Sequence, residues 1–426
     1  MSTPDTYPRF LYPSLIEALA DTPVVLIHGP RQVGKTTLAQ QAGKAAGYDY
    51  ISFDDDVQRE AARADTMGFV AELSDKVILD EVQRVPELFT ALKLAVDKNR
   101  RPGRFILTGS ANVLLVPKLA DSLAGRMEIL QLYPLTQAEL LGKQSHFLDS
   151  LFNAQFKLST WPRLGRSLAE LIVAGGYPAA LARSSAARRA TWYRNYIDML
   201  LQRDVQELGR INALDALPRL LSLLAGQTAR LLNVAELAAP FHLSRPTIRD
   251  YVTLLERIFL LEELPAWFNN RLKRLIKTPK LHLVDTGLAC ALLGLTVESL
   301  WADRMLLGQL LETFVYQEVR RQASWLDESI GLYHFRDKDG IEVDIVLERG
   351  NKIAGIEIKA AATVTAADFK GLRKLKETAG KRFSAGIVLY DGETLAPFGE
   401  KLFAVPIRTL WEFQVSTLPL NFRDTR

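Results

Sequence analysis

Cysteine, histidine and long apolar runs are scarce in this sequence of 426 residues, and each scarcity excludes a class of protein. The single cysteine, Cys290, can form neither an intrachain disulfide nor a cysteine metal cluster, so nothing indicates an oxidising compartment. The five histidines show no metal-ligand spacing. No apolar run reaches the about 18 residues of a membrane helix, and the first residues carry no apolar signal core. The sequence therefore predicts a cytoplasmic protein without a membrane segment.

The length and the charge set further bounds. A chain of 426 residues is too long for one ordinary core, so several domains are expected. Hydrophobic residues make up 48% and charged residues 24%, which is typical of a globular protein. The net charge of +4 permits nucleic-acid binding but does not predict it alone, so the clustering of basic residues matters.

The most specific motif is a glycine loop between a strand and a helix. The apolar run Val24 to Ile27 leads into residues 29–36, which fit G-x-x-x-x-G-K-S/T, the Walker A pattern. Its glycines let backbone N–H groups turn toward an anion, and the helix dipole adds to the attraction. We expect Lys35 to reach the β- and γ-phosphates of ATP and the Thr36 hydroxyl to bind Mg²⁺. The predicted nucleotide contacts are Gly29, Pro30, Arg31, Gln32, Val33, Gly34, Lys35, Thr36 and Thr37.

A second apolar strand, beginning at Val77, ends in Asp80-Glu81, which is a Walker B pattern in an alternating α/β region. Asp80 is predicted to bind Mg²⁺ directly or through water. Glu81 is predicted to orient the attacking water as the general base. The acidic run 54–56 precedes a predicted helix. We interpret it as a cap of that helix in preference to a catalytic group.

Residues 233–284 predict a winged-helix domain. A short helix is followed by a turn and by a second helix with Ser244 as its N-cap, and two strands then follow. The second helix presents Arg245, Thr247 and Arg249 to a groove. The loop between the strands carries five cations: Arg271, Lys273, Arg274, Lys277 and Lys280. We expect this loop to clamp phosphates of DNA or RNA; the alternative is that the domain docks a protein.

The last part of the chain combines one helical acid with a β-rich stretch. Glu312 lies on the apolar side of a helix, Asp344 ends a turn-and-strand, and Glu357 and Lys359 share one face of the next strand. This order, Glu…Asp…Glu-x-Lys, resembles the PD-(D/E)XK nuclease core, with Val343 where the family motif has proline. The resemblance implies a nuclease site in which the carboxylates of Glu312, Asp344 and Glu357 hold one or two Mg²⁺ ions and Lys359 helps to position and activate water. Such domains also occur as binding modules without activity.

Taken together, the motifs resemble a bacterial and archaeal family of AAA+ ATPases of the AAA-14 type with a C-terminal domain of unknown function 4143. The likeness rests on GPRQVGKTT, VILDEVQ, FILTGSAN, LAGRMEILQLYPLT, GGYP, LHLVDTGLA, GQLLETFVYQEV, GIEVDIVL and IEIKAA. It implies that the strand from Arg104 to Thr108 lies between the other two and that a polar residue at its tip senses the γ-phosphate. Ser110 and Asn112 are the candidates, and Ser110 is favoured; the alternative is that residues 108–110 are only a strand-to-helix turn with an N-cap. It also implies that Arg126 is an arginine finger acting on a neighbouring subunit's ATP, although an ordinary surface arginine is the equal alternative.

The expected fold is multidomain α/β: a P-loop AAA+ core (1–134), a helical lid and connector (135–210), a winged-helix domain (211–290) and a PD-(D/E)XK nuclease-like domain (291–426). We expect a Mg²⁺-dependent ATPase that assembles into a homo-oligomeric ring, such as a hexamer, and acts on nucleic acid, chiefly DNA. By analogy with Holliday-junction motors, branched or duplex DNA is the favoured target. The alternative is an ATP-dependent switch whose winged-helix and C-terminal domains dock proteins without nuclease activity.

Overall fold

The computed structural model describes residues 6–110, 123–208, 216–269 and 277–414. The predicted residues Asn112, Arg271, Lys273 and Arg274 lie outside these ranges.

Helices account for most of the elements in these ranges. They are α1 (Tyr12–Asp21), α2 (Lys35–Ala46), α3 (Asp56–Ala64), α4 (Thr66–Ala71), α5 (Leu88–Lys98), α6 (Gln137–Leu141), α7 (Phe147–Phe152), α8 (Arg166–Ala174), α9 (Pro178–Leu181), α10 (Ala186–Leu208), α11 (Ala216–Gly226), α12 (Val234–Ala238), α13 (Arg245–Arg257), α14 (Thr286–Leu292), α15 (Val297–Ala302), α16 (Arg304–Ala323), α17 (Lys370–Ala379) and α18 (Thr409–Glu412). Short 3₁₀ turns cover Val82–Arg84, Ala239–Phe241, Ala366–Phe369 and Gly380–Arg382. No helix in the described ranges is long and apolar enough to cross a membrane.

The strands form three sheets. They are β1 (Val24–His28), β2 (Asp49–Ser52), β3 (Val77–Asp80), β4 (Phe105–Gly109), β5 (Met127–Gln131), β6 (Ser159–Thr160), β7 (Arg230–Leu231), β8 (Leu261–Leu264), β9 (Lys280–Leu283), β10 (Ile330–Arg336), β11 (Glu342–Arg349), β12 (Lys352–Lys359), β13 (Phe383–Tyr390), β14 (Thr394–Pro397) and β15 (Leu402–Pro406).

The first sheet is parallel, with the strand order β2-β3-β4-β1-β5. Every residue of β1 is buried, because helices cover both faces of the sheet. Val25 and Ile27 pack with α2 on one face, and Val24 and Leu26 pack with α5 on the other. β4 lies between β3 and β1, as the sequence predicted. The carboxyl ends of β1, β3 and β4 therefore meet at one edge.

The middle domain, which we define as α11 to β9, combines three helices within its described residues with the antiparallel sheet β7-β9-β8. α13 buries Ile248, Tyr251, Val252 and Leu255 on one face, which is the face that its sequence periodicity predicts. The Ser244 hydroxyl accepts a hydrogen bond from the Thr247 N–H and caps the helix, as expected. The buried face and the N-cap of this helix were therefore predictable from the sequence.

The C-terminal sheet has seven strands in the order β10-β11-β12-β13-β15-β14-β6. Its last strand, β6, comes from the connector, where the sequence predicted only helices, and pairs with β14. Phe156, which precedes β6, packs against Phe403 and Phe413. This part of the connector is thus tied to the C-terminal sheet, because its aromatic side chain is buried there.

Candidate functional site

The Walker A loop lies at the carboxyl edge of the first sheet, between β1 and α2. Gly29 has φ +146°, and a Cβ there would lie 2.1 Å from the Leu132 carbonyl oxygen, so only glycine fits. The Lys35 ammonium is buried and donates to the Gly29 carbonyl at 3.0 Å and the Pro30 carbonyl at 2.7 Å. Burial and this ammonium lower the pKa of His28 to about 4, so a neutral imidazole ends β1. The loop therefore holds its lysine at the place where phosphates are expected.

Asp80 is brought to the start of α2. The Thr36 hydroxyl donates to Asp80 Oδ1 at 2.9 Å, and Thr108 donates to the same oxygen. The Tyr50 hydroxyl donates to Asp80 Oδ2 at 2.9 Å. Burial and the Asp80 carboxylate raise the pKa of Tyr50 to about 12, which keeps this donor protonated. A hydroxyl and a carboxylate side by side form an oxygen donor set that suits Mg²⁺, so Thr36 and Asp80 fit the ion expected with ATP.

Glu81 follows β3 in a left-handed conformation, with φ +57°. The Ser110 hydroxyl donates to Glu81 Oε2 at 2.9 Å, and the Gln83 amide donates to the same oxygen and, at 3.1 Å, to Ser110 Oγ. Arg31 of the glycine loop lies 4.0 Å from this carboxylate oxygen. Left-handed conformations of residues other than glycine are costly and cluster at functional sites. The backbone thus turns the Glu81 carboxylate toward β4 and the loop.

Sequence reasoning missed three side chains of this cluster: Tyr50, Gln83 and Thr108. Gln83 stands within the VILDEVQ motif, and Thr108 lies on β4, two residues before Ser110. Both could therefore have been recognised from the sequence as polar residues close to predicted site residues. Tyr50 gave no such signal, because its place depends on β2 pairing with β3.

A cavity of about 300 Å³ opens beside the glycine loop. It is lined by Thr6, Tyr7, Arg9, Val33, Gly34, Thr37, Leu38, Gln41, Leu135, Pro178, Ala179 and Ala182. The lining is largely apolar and adjoins the first turn of α2, and pockets of this size and character suit small ligands. The cavity therefore has the position and volume for the nucleoside part of a nucleotide whose phosphates lie in the loop.

Two distant segments hold the back of the loop. The buried Arg9 guanidinium donates to the carbonyl oxygens of Val33 and Tyr133, both at 2.6 Å, and pairs with Glu139 at 3.0 Å. The Tyr196 hydroxyl of α10 donates to the Arg31 carbonyl at 3.2 Å. Neither residue was assigned from sequence, because each reaches the loop only through the tertiary fold.

Arg126, the candidate finger, lies just before β5. Its guanidinium pairs with Asp97 through two hydrogen bonds, of 2.7 and 3.0 Å. Met127 pairs with Val24, the first residue of β1, so Arg126 lies at the opposite edge of the sheet from the glycine loop of its own chain. Any contact of Arg126 with ATP would therefore involve a second subunit.

The predicted nucleic-acid face is only partly available. Arg245 is exposed, and Lys277 lies over the Phe268 ring at 5.7 Å. Arg249 forms a paired contact with Glu263 of β8, and Thr247 shares a hydrogen bond of 2.8 Å with Ser244. Lys280, expected in the cationic loop, is instead buried at the start of β9. That expectation was wrong, because the side chain of Lys280 points toward buried carboxylates.

Those carboxylates belong to the predicted nuclease site. The Lys280 ammonium donates to Glu312 Oε1 at 2.6 Å and to Asp344 Oδ1 at 3.2 Å. Asp344 Oδ2 accepts the Ile358 N–H at 2.9 Å. Glu357 pairs with Lys359 at 3.0 Å, and its other oxygen is buried without a hydrogen bond. The fold thus places Asp344 beside both Glu312 and the strand of Glu357, but with a lysine between Glu312 and Asp344.

This arrangement does not suit Mg²⁺. Within the described ranges, no group of three or more His, Cys, Asp or Glu side chains is placed to hold a metal ion. Mg²⁺ needs oxygen ligands at about 2.0–2.1 Å in octahedral geometry. Here one oxygen of Glu312 and both oxygens of Asp344 are already engaged by N–H donors. The described cluster therefore lacks the free oxygen ligands that Mg²⁺ needs.

Comparison with known sequences assigns families to three stretches. Residues 21–141 match an AAA domain, residues 165–299 match the domain of unknown function DUF8612, and residues 307–410 match the domain of unknown function DUF4143. The first match contains the whole of the glycine loop and the Asp80 and Glu81 pair. It agrees with the five-stranded parallel sheet and with the site at its edge.

Solved structures give only weak likenesses. A Walker-type ATPase of Pyrococcus abyssi is 17% identical, covers 68% of this chain and 96% of its own, and has a TM-score of 0.43. The RuvB Holliday junction branch migration motor of Thermotoga maritima is 18% identical, covers 60% and 89%, and has a TM-score of 0.28. Neither likeness is strong enough to support an inference about this chain.

Full-length relatives are more informative. The uncharacterized protein MJ1544 of Methanocaldococcus jannaschii is 26% identical over 345 residues, which cover 77% of this chain and 73% of that protein. The uncharacterized protein Rv2008c of Mycobacterium tuberculosis is 32% identical over 395 residues, which cover 92% of this chain and 82% of that protein. The chain therefore belongs to the same family as Rv2008c, and in this chain a P-loop ATPase domain of the AAA type is followed by two domains of unknown function, DUF8612 and DUF4143.

Proposed function

We propose that this protein hydrolyses ATP with Mg²⁺ at the edge of its first sheet. The observation that carries the proposal is the pairing of Thr36 with Asp80 and of Ser110 with Glu81, side by side next to the glycine loop. In P-loop enzymes, catalysis is mostly positioning and charge stabilisation, and these residues supply both. Bound Mg²⁺ neutralises charge on the phosphate oxygens, and Thr36 and Asp80 are the residues that hold it.

The chain's own side chains perform the remaining steps. Lys35 exchanges the carbonyls of Gly29 and Pro30 for phosphate oxygens, which are stronger acceptors for an ammonium. Glu81 orients a water molecule for in-line attack and accepts its proton. Ser110 and Gln83 hold the Glu81 carboxylate until substrate is bound. The apolar cavity beside Val33 and Leu38 takes the nucleoside and excludes water around it.

Two substitutions separate binding from hydrolysis. Lys35→Ala removes the cation expected at the phosphates, so ATP affinity measured by fluorescent-analogue titration should be lost. Glu81→Gln keeps the shape of the site but removes the base, so ATP should still bind while kcat falls by about 100-fold or more. Glu72→Gln, on an exposed acid, is the control and should behave as wild type. Unchanged hydrolysis in Glu81→Gln would assign the base elsewhere.

We further propose that ATP hydrolysis serves an action on nucleic acid, with branched or duplex DNA as the first candidate. In this proposal the middle domain, which combines helices with a three-stranded sheet, functions as a winged helix. The exposed Arg245 and Lys277, with the loop cations outside the described ranges, supply the cationic face. A homo-oligomeric ring would let Arg126 of one subunit reach the ATP of the next. Cleavage is left out of this proposal, because Lys280 engages the carboxylates it would need.

A second function, the ATP-dependent switch that docks proteins, is favoured by one observation. Arg249 of α13 is paired with Glu263, which removes one cation from the face that would contact phosphates. The two functions differ in salt dependence. A protein that neutralises several phosphates should lose DNA affinity with a slope of about −0.9 per contact on a log–log plot. A protein-docking switch would show no such slope with DNA.

A further inference from the structure

The polar side of α16 contacts the middle domain through several hydrogen bonds. Gln309 donates to the Gly226 and Thr228 carbonyls at 3.2 and 2.9 Å, and Gln317 donates to the Leu283 carbonyl at 2.9 Å. Thr313 shares a hydrogen bond of 2.8 Å with Thr228. Glu312 stands in the same row and faces Lys280 of β9. One helix thus carries a line of polar contacts, and Glu312 supplies a carboxylate within it.

Lys280 is the cation of this contact. Its side chain is 4% exposed, and its ammonium lies 2.6 Å from Glu312 on α16 and 3.2 Å from Asp344 on β11. Burial by itself lowers the pKa of Lys280, but the Asp344 and Glu312 carboxylates raise it above its ordinary value, so the group stays charged. Three elements from separate parts of the chain therefore meet at one buried positive charge.

The carboxylates depend on this charge. A carboxylate buried without a partner is destabilising by several kcal/mol, and removing one partner of a buried pair leaves such a charge behind. Lys359 is not a substitute, because it is hydrogen-bonded to Glu357 on β12. Among the side chains that the structure describes, Lys280 is the basic residue that forms an ion pair with both Glu312 and Asp344.

We propose that Lys280 is the built-in cation of this carboxylate cluster, which joins the middle domain to the C-terminal sheet and functions without a divalent metal. A movement driven by the ATPase domain would then carry the middle domain and the C-terminal sheet together. The inference is independent of the proposed ATPase activity, since none of its residues lies near the glycine loop.

Metal binding and thermal stability test the proposal in the full-length chain without nucleotide. Mn²⁺ binding is measured by electron paramagnetic resonance for wild type and for Asp344→Asn. The two should bind the same amount of Mn²⁺, because the cluster takes none in either protein. A site that is present in wild type and lost in Asp344→Asn would overturn the proposal, whatever happens to stability.

The second arm replaces the lysine. Lys280→Met should lower the Tm by several degrees, Lys280→Arg should restore part of the loss, and Lys277→Met, on an exposed lysine three residues earlier, should change little. Added Mn²⁺ should raise the Tm of Lys280→Met more than that of wild type, because only the variant leaves Glu312 and Asp344 without their cation. Equal Tm values for Lys280→Met and Lys277→Met would overturn the proposal that Lys280 joins the middle domain to the C-terminal sheet. If Lys280→Met does not fold, the Mn²⁺ comparison of wild type with Asp344→Asn decides alone.

Discussion

Glu81 shows how one residue's backbone and side chain combine to make a site. Its left-handed conformation turns the carboxylate away from the line of β3, and Ser110 and Gln83 then fix it with hydrogen bonds. A bond from a neutral donor to a charged group contributes about 1.5–3 kcal/mol. Two such bonds outweigh the strain of the backbone, which is of order 1–3 kcal/mol. The conformation is therefore stable as long as both donors are present.

Ser110→Ala tests this account at the residue scale. Loss of the hydroxyl removes one of the two donors that orient Glu81, so kcat for ATP should fall about tenfold or more, as expected for one lost bond to a charged group. ATP affinity should change little, because the glycine loop that holds the phosphates is left intact. Steady-state kinetics separate the two effects. Ser74→Ala, on an exposed serine of the same domain, is the control; equal kcat values in both variants would remove Ser110 from the site.

The residues of the ATP site were predictable where local sequence determines their place. The glycine loop and Asp80-Glu81 are contiguous motifs next to strands, so their positions follow once the strands are known. Arg9 and Tyr196 could not be assigned, because they approach the loop from 24 and 165 residues away in the chain. Lys280 was assigned to the wrong environment, since exposure was inferred from its cationic neighbours.

At the scale of elements, α13 combines a correctly predicted buried face with an unexpected charge cluster. Burial and the nearby Glu263 raise the pKa of Glu256 to about 7, with Arg249 opposing the shift and Glu262 adding to it. The folded protein keeps this proton up to about pH 7, whereas the unfolded chain releases it above its ordinary pKa of 4.5. The contribution of Glu256 to stability is therefore largest at low pH and falls as the pH rises from 4.5 to 7.

Glu256→Gln should remove this pH dependence, because the amide carries no charge at any pH in the range. We expect the variant and the wild type to have similar Tm values at pH 5, and the variant to be more stable at pH 8. Differential scanning calorimetry at the two values checks the sign. Asp250→Asn, on the exposed side of the same helix, should give no such difference. A variant less stable than wild type at pH 8 would show that the charged Glu256 carboxylate stabilises the fold, which would contradict this account.

Elements with a strong periodic or capping signal were predictable, and short paired ones were not. α13 has a hydrophobic face and a serine cap, and the Asp54-Asp55-Asp56 run does cap α3 through Asp55, which accepts from the Val57 and Gln58 N–H groups. β6 has two residues, and its strand conformation comes from pairing with β14, more than 200 residues later. Local sequence cannot specify such a strand, because its partner supplies the hydrogen bonds.

At the scale of the whole molecule, one buried ion pair joins segments that lie far apart in the chain. Arg321 of α16 pairs with Asp285 at 3.3 Å and donates to the Leu135 and Val284 carbonyls, both at 2.9 Å. Asp285 also caps α14 and accepts the Gly176 N–H at 2.8 Å. The connector, the segment that directly follows β9, and α16 thus meet at one cluster.

Arg321→Met should destabilise the protein by about 3–5 kcal/mol, because it leaves Asp285 buried without its cation. Urea denaturation monitored by tryptophan fluorescence measures the loss. Arg336→Met, which breaks an ion pair with Glu342 on the surface, is the matched control and should cost no more than about 1 kcal/mol. Similar losses in the two variants would show that the cluster does not hold the domains together.

The measurement that most directly tests the central claim is the rate of ATP hydrolysis at fixed salt with no polymer, single-stranded DNA, duplex DNA, a four-way junction and RNA. Phosphate release is followed with Mg²⁺ present, and Glu81→Gln serves as the blank. The account predicts hydrolysis that is lost in the blank and is strongly stimulated by DNA, most by the duplex or the junction. An equal rate in all five conditions would contradict a function on nucleic acid and would favour the protein-docking switch.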